Sequence, residues 1–331
     1  MQNRVIYALL DNDKLMTKVT VCIPTFNRYH ILPFAIENVQ KQTYSDWELI
    51  VCDDGSTDET PELMAKYQDP RIRYIRHRQN IGKSNNMRSG FEAATGEYFI
   101  KFDDDDRLTP EFLEKTIAIL DQYHEVDFVG TDHWIIDINN QRDENATKQN
   151  SQRWGRTKLT EGIVNNLLEV VFIQQSFQVG ATLFRRQDLL DVNFMRPNLQ
   201  NCEDNDLFVR LALAGKSGYY LPQRLMEYRV HAEQQGINRA IPYLRDKLNY
   251  LDSFKFEPET CESIRQSRLA ETQLLLGLRL IETGETQTGR QLVWQGKSYS
   301  TLKAGTGLIL SVLPMKLRQS AFDQLRKLQN R

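Results

Sequence analysis

The sequence predicts a Rossmann-like α/β fold: a mostly parallel sheet flanked by helices, followed by a helical C-terminal region. Three observations predict it. Short apolar, β-branched runs alternate with segments of helical spacing between Val19 and Gly130. Several of these runs end abruptly in acidic or glycine-bearing turns. After Gln235 the strand signals fade and helical ones take over. Strand–helix–strand order implies right-handed crossovers, hence parallel strands with helices on both faces.

Residues 19–24 read as a buried strand closed by Pro24, with Thr25-Phe26-Asn27-Arg28 as the following loop. The spacing of Leu32, Ala35, Ile36 and Val39 predicts a helix over 30–42. A second strand, 47–52, ends in Asp53-Asp54-Gly55-Ser56-Thr57-Asp58. A helix over 60–67 leads to a strand over 72–76, then Asn80-Ile81-Gly82-Lys83 and a helix over 84–94. The aromatic strand 98–102 ends in Asp103-Asp104-Asp105-Asp106, and Thr109-Pro110 reads as the cap and first residue of a helix running to 123. Strands follow at 126–130, 135–138 and 179–184. The polar stretch 139–156 has no periodicity and predicts a long mobile loop of the lid or binding kind. Its Asn145-Ala146-Thr147 sequon is discounted, because no secretory signal accompanies it. Asn201-Cys202-Glu203-Asp204-Asn205-Asp206 opens a short helix stopped by Gly215, and 219–221 and 225–231 read as closing strands. Leucines over 274–280, the Thr283-Gly284-Glu285 turn and 287–299 predict a helix–turn–helix hairpin.

Composition narrows the function classes. The chain has 331 residues, 40% hydrophobic and 26% charged, as expected of a globular protein with about two domains. A net charge of −2 argues against a general nucleic-acid binder. Cys22, Cys52, Cys202 and Cys261 show no metal-type spacing; Cys22 and Cys52 sit in apolar runs and read as buried thiols. With no secretory signal and no membrane-spanning run, the expectation is a cytoplasmic protein. Met16 directly precedes the first strong strand, so residues 1–17 read as an N-terminal extension and Met16 as a candidate start. The apolar run 308–313, flanked by Lys303, Lys316 and Arg318, reads as a packing helix, with peripheral contact at the inner membrane face as the alternative.

Loops that follow parallel strands lie on one edge of the sheet. Residues 24–27, 53–58, 80–83 and 103–106 should therefore meet where such sheets bind ligands. The geometry suits a nucleotide, yet neither the Gly-x-Gly-x-x-Gly fingerprint nor a Gly-Lys-Ser/Thr phosphate loop is present. A charge run is ordinarily a solvated loop. Four adjacent carboxylates repel one another, however, and a cation is the simplest compensation.

At this point the chain resembles the family 2 glycosyltransferases. The resemblance rests on residues 21–28, on Asp53-Asp54-Gly55-Ser56-Thr57-Asp58, on Gly96-Glu97-Tyr98 and on Asp103–Asp106, and continues through Glu203-Asp204 to Tyr228-Arg229-Val230-His231. It implies a glycosyltransferase A fold over 18–235, with a nucleotide-sugar half at about 18–130 and an acceptor half at about 131–235, ahead of the helical region 236–331. It implies a nucleotide-sugar site built from Pro24, Thr25, Asn27, Arg28, Asp53, Asp54, Gly82, Lys83, Arg88, Asp103 and Asp104. Asp54 would accept the ring N–H of uracil or thymine. Asp105, with Asp103 and His231, would hold Mn²⁺ or Mg²⁺, which stabilises the diphosphate leaving group as a Lewis acid. Asp204 would be the catalytic base, with Glu203 as its rival, and one displacement would invert the anomeric centre.

The pattern departs from the family in two places. Many members carry Ala-Arg-Asn where this chain has Asn85-Asn86-Met87-Arg88, which leaves open whether Lys83 or Arg88 meets the diphosphate. The Gln-x-x-Arg-Trp motif and membrane spans of processive synthases are missing, so transfer of a single sugar to a glycan or lipid-linked glycan is expected. The alternatives are a sugar-phosphate nucleotidyltransferase, disfavoured because 24–28 contains no glycine, and a non-catalytic sugar-nucleotide or glycan-binding module, which would not need Asp105 and Asp204 together.

Overall fold

The computed structural model describes residues 17–230 and 240–329. The extension 1–16, with Met16, and His231 lie outside the described residues. The first half runs β1 (Val19–Thr25), α1 (Leu32–Gln40), β2 (Trp47–Asp53), α2 (Thr60–Met64), β3 (Ile72–Arg76), α3 (Lys83–Ala93), β4 (Tyr98–Lys101), β5 (Arg107–Leu108) and α4 (Phe112–Gln122). Then come β6 (Phe128–Ile136), β7 (Arg142–Asp143), α5 (Glu144–Arg153), β8 (Gly162–Ile163), β9 (Thr182–Arg185), α6 (Arg186–Asp191), α7 (Glu203–Leu213) and β10 (Gly218–Arg229).

The described strands form one mixed sheet in the order β3-β2-β1-β4-β9-β6-β10-β5, with β7 on β6 and β8 on β10. β1 to β4 pair in parallel, as do β6 and β10, while β9 runs antiparallel between β4 and β6. The chain leaves β1 for β2 and β3 on one side and returns to β4 on the other. The loops after β1 and β4 therefore diverge, and such a switch point opens a crevice.

Strand alternation builds the core. Val21 and Ile23 of β1 join one apolar cluster, with Leu113 of α4; Cys22 between them joins the other, with Met87 and Phe91 of α3. Cys22 and Cys52 are buried free thiols with their sulfurs 3.6 Å apart. Leu32, Ala35, Ile36 and Val39 are the buried face of α1, as their spacing requires.

The structure corrects several local expectations. Residues 139–156 are not a long loop: they hold β7 and helix α5. Asp143 caps α5, its Oδ1 accepting from Ala146 N at 2.8 Å. The buried residues of α5 are Thr147 and Ser151, which meet β6 through hydrogen bonds to Ile135 N and Asp132. A helix docked by hydroxyls leaves no apolar stripe in the sequence. Thr109 does not cap α4 with its side chain; its N–H and C=O are used instead, toward Leu225 O and Phe112 N. The two expected closing strands are one, β10, whose pairing with β6 shifts between Leu221 and Arg224. Pro222 sits in that shift, where its missing N–H costs no ladder bond.

Beyond β10 the described residues are helical: α8 (Ala240–Asp252), α9 (Glu259–Thr283), α10 (Thr286–Gln295), α11 (Thr301–Leu310) and α12 (Met315–Gln329). The hairpin expected around Gly284 is present, with Gly284 in the left-handed conformation that ends α9. Gly277 and Gly289 let α9 and α10 touch; a Cβ on Gly277 would lie 2.7 Å from Gly289 O.

Candidate active site

The switch point opens into a cleft of about 870 Å³. Its wall takes Pro24 and Thr25 from the end of β1 and Arg28 from the loop after it, Asp54 from the turn after β2, Gly82 and Lys83 from the start of α3, and Asp103, Asp104 and Asp105 from the loop after β4. The four loops expected to converge do so.

Asp54 organises one wall. It is buried, and its oxygens accept from Ile81 N at 2.7 Å and Gly82 N at 3.1 Å. Burial raises its pKa, against those two donors. The bonds draw residues 80–82 up against the end of β2, and Gly82, at φ +90°, opens α3. A side chain at Gly82 would strike Gln200, whose Oε1 accepts from Lys83 N at 2.7 Å.

The acidic loop is not uniform. Asp103 pairs with the buried Lys101 at 2.6 Å. Burial alone would raise the Asp103 carboxyl, but Lys101 and Lys83 outweigh it and hold it below the usual range. At Asp104 burial and the neighbouring Asp105 outweigh a hydrogen bond from Thr25 and the charge of Arg28, and push the carboxyl up to about 7. Asp106 is buried and turns away, accepting from Arg229 N at 2.9 Å. Arg229 also donates to Asp105 O at 2.6 Å, fastening the loop to the end of β10.

The first turn of α7 supplies a second acidic group. Asp206 is spent on Arg210 and Arg196, and Glu203 on Lys83, 2.9 Å away. Asp204 is raised above the usual carboxylate range by burial, with Lys101 and Lys83 opposing, and its Oδ1 has no hydrogen-bond partner among the described residues. Neither Glu203 nor Asp204 is part of the cleft wall itself; both are within electrostatic range of Lys83. Glu203 raises the Lys83 ammonium well above its usual value, against burial.

The cleft thus sets a lysine and several carboxylates at one edge of the sheet, with the Asp204 carboxylate within electrostatic range of Lys83. A family model, Glycosyl transferase family 2, matches residues 20–186, half of the chain. The chain belongs to glycosyl transferase family 2. This family 2 enzyme is 28% identical over 225 residues to the putative glycosyltransferase EpsE of Bacillus subtilis, covering 67% of this chain and 76% of EpsE. It is 30% identical over 121 residues to WfgD of Escherichia coli, a UDP-Glc:alpha-D-GlcNAc-diphosphoundecaprenol beta-1,3-glucosyltransferase, covering 37% of this chain and 47% of WfgD. Among solved structures, Staphylococcus aureus TarS 1–349 in complex with UDP-GlcNAc superposes with a TM-score of 0.64 at 16% identity, over 93% of this chain and 92% of that one, a likeness of fold.

The glycosyltransferase uses some of the expected site residues elsewhere. Asn27, at φ +54°, accepts from Thr57 N at 2.8 Å and lies outside the cleft wall. Asp53 is buried under Tyr74 and accepts from Ser56 N at 2.7 Å, so it shapes the turn that presents Asp54. Arg88 donates to Asn193 O and Met195 O, while Lys83 lines the cleft. Sequence reasoning missed Lys101, read only as a strand residue, as well as Asn86, Gln200 and Tyr228 in the cleft wall. Asn86 had a signal, since it stands where the family pattern departs.

Among the described residues no group of three or more His, Cys, Asp and Glu could by itself hold a metal ion. The donor set nevertheless fits Mg²⁺ or Mn²⁺. Hard carboxylate oxygens crowd at Asp103–Asp105, Asp104 bears the cost as a raised pKa, and such ions are commonly held by one or two carboxylates together with substrate phosphates.

Proposed function

We propose that the enzyme transfers a single sugar, with inversion, from a UDP- or dTDP-sugar to a hydroxyl of a glycan or lipid-linked glycan, assisted by Mn²⁺ or Mg²⁺. One observation carries this reading: Asp54, Lys83 and the Asp103–Asp105 carboxylates face a single cleft, with Asp204 of α7 in electrostatic contact with that group. WfgD acts on UDP-Glc and a diphosphoundecaprenol-linked sugar and makes a β linkage, which supports both the donor class and the acceptor class. In this reading 18–235 is the catalytic unit, 18–130 taking the donor and 131–235 the acceptor, in the cytoplasm at the inner face of the membrane.

Asp54 holds the pyrimidine N–H, and the Pro24–Thr25 turn holds the base and ribose. Lys83, whose ammonium stays charged across the physiological range, meets the diphosphate. Asp105 and Asp103 would hold the cation, which supplies Lewis-acid stabilisation of the leaving diphosphate when bound. Asp204 takes the proton of the acceptor hydroxyl as the new C–O bond forms at the anomeric carbon. The bond from that carbon to the diphosphate oxygen breaks on the opposite face and releases the nucleoside diphosphate. A raised pKa suits a base that must hold the proton it takes.

The test is nucleotide release from UDP-, dTDP- and GDP-sugars with diphosphoundecaprenol-linked acceptors, in Mn²⁺ or EDTA. Acceptor-dependent release of UDP or dTDP with a β-linked product is expected. A retained α anomer, or equal turnover in EDTA, would overturn the inverting or the metal-assisted part respectively.

A further inference from the structure

From Thr286 to Phe322 the chain contains no aspartate or glutamate, while Arg290, Lys297, Lys303, Lys316 and Arg318 are basic. The chain as a whole is net −2, so this is a local reversal of charge. Two of these cations are used internally: Arg290 donates to Ser311, and Arg318 is buried. Lys297, Lys303 and Lys316 are exposed.

The same stretch exposes large apolar side chains. Leu302 is 80% exposed, Ile309 69%, Val312 72% and Leu317 60%. Leu302 and Ile309 are seven residues apart and share one face of α11. Ala304 and Gly307 are its buried residues, and Ala304 packs into the small core with Leu274 of α9 and Phe322 of α12. The helix thus has a complete core face and a second apolar face that no described residue covers. Apolar surface of this extent marks an interaction site, and exposed lysines select an anionic occupant; Glu282, which lines the same hollow as Lys303, is already paired with Arg279 and Arg326. A two-fold contact with a second copy would set these lysines against one another. Among the described residues no helix is long and apolar enough to cross a membrane, so the contact is peripheral.

We infer that α11, the turn after it and the opening of α12 form a docking surface for an anionic phospholipid bilayer, with Ile309 and Val312 entering the acyl boundary and Lys303 and Lys316 meeting the headgroups. Such docking would hold the enzyme where a lipid-linked acceptor lies. That use rests on the acceptor class proposed above; the surface itself does not.

Co-sedimentation of the full chain with vesicles tests it. Vesicles of phosphatidylcholine with about one third phosphatidylglycerol should pellet the protein, less so as salt shortens the screening length, and pure phosphatidylcholine should pellet little. Ile309→Glu with Val312→Glu should weaken binding at least about tenfold, and Lys303→Glu with Lys316→Glu should remove the preference for anionic lipid. All four positions are exposed, so the melting temperature should not change, which separates lost docking from lost folding. Absence of pelleting, pelleting that neither pair alters, or a concentration-dependent dimer by light scattering that Ile309→Glu with Val312→Glu abolishes would overturn the inference. None of these readouts depends on turnover.

Discussion

Lys83 Nζ stands 2.9 Å from Glu203 Oε1, an ion pair that ties the first turn of α3 to the first turn of α7. Through it the nucleotide side of the cleft and the helix carrying the candidate base are held together. The pair also divides two adjacent acids. Glu203 is engaged, whereas Asp204 keeps an oxygen without a hydrogen-bond partner among the described residues.

Asp204→Asn should lower kcat by about 10²–10⁴ with donor affinity retained, the usual worth of a general base. Glu203→Gln should change kcat less and act on donor KM through Lys83. Steady-state kinetics with the accepted donor decide it, and a larger kcat loss for Glu203→Gln would transfer the role of base to Glu203.

The base works unprotonated, so transfer should rise with pH through the Asp204 pKa. Burial raises that value, which places the acid limb of the rate profile above the ordinary aspartate range of about 3.9. The limb should disappear in Asp204→Asn. A wild-type limb at the ordinary value would contradict the assignment.

Asp54→Asn removes one of two acceptor oxygens for the Ile81 and Gly82 N–H groups and the charge offered to the base. Hydrogen bonds to a charged group are worth about 1.5–3 kcal/mol, so UDP affinity by calorimetry should fall about 10- to 100-fold. The melting temperature should fall with it, because the 80–82 loop loses its anchor.

Asp246 of α8 acts from outside the matched family segment. Its Oδ2 accepts from Gln200 N at 3.1 Å, Asn201 N at 2.9 Å and Asn201 Nδ2 at 2.9 Å, bracing the loop that leads into α7. Asp246→Ala should lower kcat/KM by about tenfold, the scale of lost positioning. Asp246→Asn, which keeps one acceptor oxygen, should recover most of it. Equal activity in all three proteins would show that α8 does not brace the site.

Glu48 makes a prediction about stability alone. It is buried and accepts from Thr20 Oγ1, Thr95 N, Thr95 Oγ1 and Arg73, at the opposite end of the strands from the cleft. Burial would raise its pKa, but these donors hold it below the usual value. A depressed carboxyl stabilises the fold above the unfolded pKa of about 4.3 and loses that contribution as pH falls through the folded value. Glu48→Ala should cost about 2–4 kcal/mol in denaturant unfolding at neutral pH and less under acid conditions.

The sequence by itself determined the strand–helix order from β1 to α4 apart from the two-residue β5, the meeting of four loops at one edge, and the family. Each follows from local patterning: alternation in Val19–Thr25, four-residue spacing in α1, and short motifs in fixed order. Tertiary structure alone decided what those patterns do not encode. Helix α5 was invisible because Thr147 and Ser151 dock it by hydrogen bonds rather than by an apolar stripe. Arg88 and Lys83 were indistinguishable as cations along the chain; in the fold, Arg88 faces the carbonyls of Asn193 and Met195 and only Lys83 lines the cleft. Lys101 and Asp246 gained their roles from partners brought near by folding. A residue's charge is written in the sequence, but its pairing is a matter of distance and burial, and those exist only once the chain has closed on itself.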